Sequence, residues 1–184
     1  MRAQLIDGAR RAFAAHGFAA ASPDDVAAEA GFTKGAVYSN FASKDELFLA
    51  VVEDEAGRRL RAVEIVLVQT GDLTSALAAV ATSLAGREPA VHALFFEFWQ
   101  RAVREPAVRE VFVASRRALH AQVTEVVATF VQQRGISGWD AGSLTTVLLA
   151  LANGLAVEAL PDPAAVPPDL LASTLARLIG ADPA

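Results

Sequence analysis

The chain has 184 residues, no cysteine and a formal net charge of −5. Its length suits one sizeable domain or a small domain joined to a larger one; the lack of cysteine excludes disulfides, thiolate catalysis and cysteine-ligated zinc; the acidic balance excludes nucleic-acid binding by bulk attraction. Hydrophobic residues make up 53% of the chain, a share that predicts helices buried on more than one face, as when subunits pair.

The opening Met1-Arg2-Ala3-Gln4-Leu5-Ile6-Asp7 lacks the long apolar core of a signal peptide. No uninterrupted apolar run reaches the roughly 18 residues needed to span a bilayer. A cytoplasmic protein with no membrane partner is therefore expected. The first helix is predicted from about Gln4 to His16, where Leu5, Ile6, Ala9, Ala12 and Phe13 recur at helical spacing. Gly17 follows as a left-handed stop. Ser22 opens the second helix: its hydroxyl can cap, Pro23 suits the first helical position, and Asp25 completes a capping-box spacing. Val26, Ala27 and Ala30 form its apolar side, and Gly31 ends it with the positive φ that glycine adopts without strain.

Thr33 caps a short third helix that stops around Tyr38 to Phe41. Phe32 before the cap and Val37 inside the helix have the spacing of a hydrophobic staple, which fixes the angle at which this helix leaves the turn. Two short helices joined by a tight glycine turn have the spacing of a helix-turn-helix, which places a helix end in the major groove of DNA; on spacing alone an ordinary helical hairpin without DNA is the alternative. Ser43-Lys44-Asp45-Glu46 is a capping box for a fourth helix running towards Leu60. Residues 1–50 carry Arg2, Arg10, Arg11, Lys34 and Lys44 against Asp7, Asp24, Asp25, Glu29, Asp45 and Glu46, a balance of −1. DNA binding must then come from local placement of charge and helix ends.

The remainder reads as helices: about Asp72 to Ala85, Pro89 to Arg104, Pro106 to Gln133 with a stop at Gly135, Ser137-Gly138-Trp139-Asp140 opening a helix to about Leu160, and a last one from about Pro168 to Ile179. His92, Phe95, Phe96 and Trp99 on one helix, with Phe112, Ser115, Leu119 and Gln122 on the next, suit either the wall of an apolar ligand pocket with a few polar groups or plain bundle core. Arg58-Arg59-Leu60-Arg61 and Arg116-Arg117 read as solvated faces or salt-bridge partners. Leu144, Leu148, Leu151 and Leu155, then Leu171, Leu175 and Leu178, form two apolar stripes. Two such helices from each subunit would make a four-helix dimer interface, and an intrachain bundle is the alternative. The three histidines show no metal-binding spacing, no catalytic constellation is framed, and no cofactor or metal is expected.

About a quarter of the chain, from Leu5 to Val52, resembles the DNA-binding domain of the tetracycline-repressor (TetR) family. The resemblance lies in Ala9-Arg10-Arg11-Ala12-Phe13-Ala14-Ala15-His16-Gly17-Phe18, Val26-Ala27-Ala28-Glu29-Ala30-Gly31, Thr33-Lys34-Gly35-Ala36-Val37-Tyr38-Ser39-Asn40-Phe41 and Ser43-Lys44-Asp45-Glu46-Leu47-Phe48. It implies an all-α fold. A three-helix helix-turn-helix DNA-binding domain over residues 1–46 would precede a larger helical effector-binding and dimerisation domain over 47–184. It also implies a homodimer on double-stranded DNA with a palindromic operator, usually a repressor, released by a small hydrophobic or amphipathic effector. By motif, Thr33, Lys34, Gly35 and Ala36 would enter the groove, Tyr38 and Ser39 would contact phosphate or base edges, and Lys44 and Ser22 would hold phosphate at helix N-termini. Many members carry a basic arm before the first helix; here only Arg2 could serve. The alternative is a helical small-molecule-binding protein that has lost operator binding.

Overall fold

A computed structural model of the chain describes residues 1–69, 73–85 and 89–180. Among these there is no strand. The α-helices are α1 (Arg2–Ala20), α2 (Pro23–Ala30), α3 (Lys34–Asn40), α4 (Lys44–Gln69), α5 (Leu73–Ala85), α6 (Pro89–Arg104), α7 (Pro106–Arg134), α8 (Ala141–Ala159) and α9 (Leu170–Leu178), with one 3-10 turn at Pro163–Ala165. The expected start of the fifth helix at Asp72 lies outside the described residues, as does the side chain of Arg59. The all-α reading holds.

The local signals act as their chemistry requires. Ser22 Oγ accepts from the Asp25 amide at 3.2 Å, and the Ser22 amide donates to Asp25 Oδ2 at 2.7 Å, closing the capping box. The Ser22 hydroxyl also donates to Asp25 Oδ2 at 2.6 Å, and this bond first, then that of the Ser22 amide, holds the Asp25 carboxyl below its ordinary range. Gly31 takes φ 72° at the end of α2. Thr33 Oγ1 accepts from the Ala36 amide at 3.3 Å, and Ser43 Oγ accepts from the Glu46 amide at 3.0 Å. Gly17 breaks α1 with φ 75° rather than ending it, because helix resumes to Ala20. Farther along, the cap of α8 is Asp140, whose Oδ1 accepts from the Ser143 amide at 2.8 Å. Ser137 therefore does not open that helix: Asp140 is the oxygen next to its first turn.

The chain forms two compact units. The first holds residues up to Gly57 together with α6 and the start of α7 to Arg117. Its core joins Leu5, Phe13, Phe18, Val26, Val37, Phe41, Leu47 and Phe48 to Phe98 and Val108. Phe98 is wholly buried and stacks on Phe48 at 4.8 Å, while Phe18 meets both rings edge-on. Ion pairs of two arginines tie this unit. Arg10 on α1 reaches Asp7 at 2.7 Å and Asp54 on α4 at 2.6 Å; Arg101 on α6 reaches Asp45 on α4 at 2.6 Å. Gly8 faces α2 so closely that a Cβ there would sit 2.6 Å from Ala30 Cβ.

The second unit holds the rest of α4 from Arg58, α5, α7 from Ala118, α8 and α9. Its core brings together Leu77, Ala81, Val123, Val127, Leu144, Leu148, Leu171, Leu175 and Ala176. Trp139 Nε1 donates to the Leu178 carbonyl at 2.9 Å and pins the loop before α8 to the end of α9. A polar seam joins α7 to α8: His120 Nε2 and Thr146 Oγ1 lie 3.0 Å apart, and Thr124 Oγ1 lies 3.2 Å from the buried Thr145 hydroxyl.

Candidate nucleic-acid interface

The recognition helix is held by very little. Of the seven residues of α3 only Val37 is buried, seated in the core with Phe41 just after the helix. Ala36 and Asn40 are half-buried and the other four residues are exposed, including Tyr38 at 56%. A tyrosine left in solvent on a helix this short is not a core aromatic. Thr33, Lys34, Gly35 and Ser39 share that outer surface, with Ala36 half-buried. Ser39 Oγ donates to the Ala36 carbonyl at 3.0 Å and accepts from Asn40 Nδ2 at 3.3 Å.

Ser22, Tyr38, Ser43 and Lys44 converge on the rim of a small groove whose apolar lining is Phe13, Val26, Val37, Phe41 and Leu47. The N-termini of α2 and α4 both open beside this groove, which gathers two sets of free amides on one side of the unit. Ser22, Tyr38 and Lys44, far apart in sequence, are thereby brought together.

Both lysines are already engaged. Lys34 Nζ sits 2.6 Å from Asp24 Oδ2 on α2, and that bond raises the ammonium above its ordinary pKa. Lys44 Nζ donates to the Ala19 carbonyl at 3.0 Å and lies 4.6 Å above the Phe18 ring. Burial pushes its pKa down, with Asp45 opposing. Arg101 takes up the Asp45 charge, and its guanidinium is held further in its charged form first by Glu105 and then by Asp45. Arg2, at the start of α1, lies over the Phe41 ring at 4.7 Å. Asp24 was not legible as a site residue, since only the packing of α2 against α3 brings it to Lys34.

The expected pocket residues divide. His92, Phe95, Phe96, Trp99, Phe112 and Ser115 belong to the first unit, Leu119 and Gln122 to the second. His92 and Phe95 are buried, Phe95 meets Phe96 edge-on at 5.4 Å and Phe112 at 5.8 Å, and Trp99 is half exposed. Leu119 packs against the second core, and Gln122 is exposed. Of the expected interface leucines, Leu144, Leu148, Leu171 and Leu175 are buried within the chain's own second core; Leu151 and Leu155 are packed against it. The reason is that α8 and α9 turn their leucines towards α5 and α7 of the same chain. What α8 leaves outside is Ser143, Thr146, Ala150, Gly154, Val157 and Glu158, with Leu178 exposed on α9. By length and mean hydropathy (1.4) α8 is long and apolar enough to cross a membrane, and only 17% of that stretch is buried within the chain.

Residues 5–51 match the family described as bacterial regulatory proteins, tetR family, and residues 70–181 match the C-terminal domain of BetI-type transcriptional repressors. The chain is 36% identical over 62 residues to the HTH-type transcriptional repressor AcnR of Corynebacterium efficiens, covering 34% of this chain and 33% of that relative. It is 37% identical over 71 residues to the HTH-type transcriptional activator FasR of Mycolicibacterium smegmatis, covering 39% and 32%. These alignments span about a third of either relative's length. A crystal structure of a transcriptional regulator from Rhodococcus sp. Rha1 superposes with a TM-score of 0.72 at 27% identity, over 98% of this chain and 94% of that one.

Proposed function

We propose a function from one premise: this chain belongs to the tetR family of bacterial regulatory proteins. It acts in the cytoplasm as a homodimeric, sequence-specific DNA-binding transcriptional regulator on a palindromic operator. Its default action is repression, relieved when a small hydrophobic or amphipathic effector enters the C-terminal region. The observation that carries this reading is α3 itself, in which only Val37 is buried while Thr33, Lys34, Gly35, Tyr38 and Ser39 are exposed. Two such helices, one per subunit, would read half-sites about one helical turn or more apart. The effector acts only by its difference in affinity between the DNA-competent state and the other.

The test is a gel shift on the DNA upstream of the chain's own gene, repeated across salt concentrations. Wild-type protein is expected to bind a palindrome there, with a modest salt slope because few cations face the phosphates. Lys34→Ala should weaken binding to every sequence alike and lower the slope by about one. Asp24→Asn should tighten binding severalfold, because Asp24 competes with phosphate for Lys34 at 2.6 Å. Equal affinity and equal slope in wild type and Lys34→Ala would remove Lys34 from the interface.

One observation favours the alternative of a small-molecule-binding protein without an operator. Lys34 and Lys44 are both satisfied within the chain. Failure to bind any upstream palindrome at low salt, with effector binding intact, decides for that reading.

A further inference from the structure

We propose that Arg116 is the anchor for the effector's charged end, and that the effector is an amphipathic oxyanion: a carboxylate or phosphate carried on an apolar body. The proposal rests on the reading that the chain takes up an effector beside the α6 aromatics.

The guanidinium of Arg116, on α7, lies 5.5 Å from the centroid of the Phe95 ring and over its face. Phe95 is buried and backed by Phe96 and Phe112, with His92 buried one turn earlier on α6. A permanent cation is thus laid against an aromatic wall. Such a stack is favourable but does not replace lost water around the N–H donors.

What separates Arg116 from its neighbours is the missing anion. The first unit has three partly buried arginines: Arg10, Arg101 and Arg116. Arg10 is paired with Asp7 and Asp54, and Arg101 with Asp45 and Glu105. Among the described residues, Arg116 has neither a carboxylate within ion-pair distance nor a hydrogen-bond partner. Burial alone pushes its guanidinium below the ordinary range, with no neighbouring charge opposing.

A partly desolvated charge without a partner is a standing cost that a bound anion removes. With its face on Phe95, the guanidinium still offers N–H donors along its edge, the geometry that takes an oxyanion bidentately. Phe95, Phe96 and Phe112 supply the apolar contact for the rest of the ligand. An amine or quaternary ammonium is disfavoured twice, by the charge of Arg116 and because the Phe95 face is already occupied.

The test compares matched probes by titration calorimetry: decanoate, decyl phosphate and decanol, then phenylacetate and 2-phenylethanol. Wild-type protein is expected to bind at least one anion about tenfold or more tighter than its neutral partner, the size of one charge-assisted hydrogen-bonded contact. The two anionic head groups tell carboxylate from phosphate. Arg116→Met should abolish that preference and leave binding of the alcohol unchanged, while Arg116→Lys should keep part of it. Arg116→Met should also melt no lower than wild type, since it removes an unpaired charge. Wild-type protein with no preference for either anion overturns the proposal, as does Arg116→Met that keeps the preference. An Arg116→Met protein that melts several degrees lower makes Arg116 a structural strut and overturns it too. A gel shift on the same samples separates this from the broader reading. Anion binding through Arg116 without operator release leaves the site standing and removes ligand release. Release by the alcohol with no anion preference does the reverse.

Discussion

Gly8→Val is expected to destabilise the helix-turn-helix unit strongly and to displace α2, and with it α3, from α1. Gly8 is buried where α1 crosses α2, and an added Cβ would lie 2.6 Å from Ala30 Cβ, 2.8 Å from Ala30 N and 2.9 Å from Ala30 Cα. Two of those three atoms are backbone, so no rotamer change relieves the contact. Replacing a helical glycine by alanine ordinarily favours the helix by about 1 kcal/mol. Overpacking a tight contact costs about 1–3 kcal/mol and more where backbone must move, so the steric term wins even for alanine. Valine adds two methyl groups to the same contact, and about 3 kcal/mol is the expected loss. That is a large part of the roughly 5–15 kcal/mol that holds a domain together. Because α2 sets the position of α3 through the Gly31 turn, operator binding should disappear with it. Thermal unfolding followed by circular dichroism checks this, and a Gly8→Val protein that melts with wild type would show that α2 can retreat from α1.

How far the sequence could lead is clearest in this same unit. Ser22 with Asp25, Gly31, Thr33 and Ser43 with Glu46 are local devices: each satisfies backbone groups within a few residues, so spacing alone predicts them, and each forms, although the Glu46 carboxylate takes the Ala42 amide at 2.7 Å in place of the Ser43 amide of a full capping box. Gly8 is of another kind. A lone glycine in a helical pattern hints at close packing, but what it packs against lies 22 residues away on α2. The Lys34–Asp24 pair and the seat of Lys44 on the Ala19 carbonyl depend on tertiary packing in the same way, as does the placing of Phe98 among the aromatics of α1 and α4. Arg116 reads in sequence as one half of a basic pair. Only the crossing of α6 and α7 sets it over Phe95. The leucines of α8 and α9 mark the limit of periodicity, which predicts an apolar face but not what covers it. Here α5 and α7 of the same chain do so.

That reassignment sharpens where a second subunit should sit. Leu148→Glu would bury a charge in the chain's own core and is expected to unfold the second unit rather than separate subunits. The face left open on α8 carries Ser143, Thr146, Ala150, Gly154 and Val157, spaced three or four residues apart along one side, with Glu158 exposed beside them at its end. Small residues let two helix backbones approach closely. A two-fold axis through Ala150 and Gly154 makes such a stripe complementary to itself. A lipid-facing helix would instead present its leucines outward, and α8 turns Leu144 and Leu148 in. The occupant expected on this face is therefore α8 of a second copy. Ala150→Glu and Val157→Glu place a charge where the single chain has only solvent, so each should cost the isolated fold within about 0.5 kcal/mol. Both should give monomers by sedimentation. Losing the second head removes a gain of about 10²–10⁴ in affinity that two linked recognition helices enjoy, so operator binding should fall by at least about a hundredfold even though α3 is untouched. A dimer that survives both substitutions moves the interface off α8. Monomers that keep full operator affinity would mean that one head suffices, and the palindrome would then have no role.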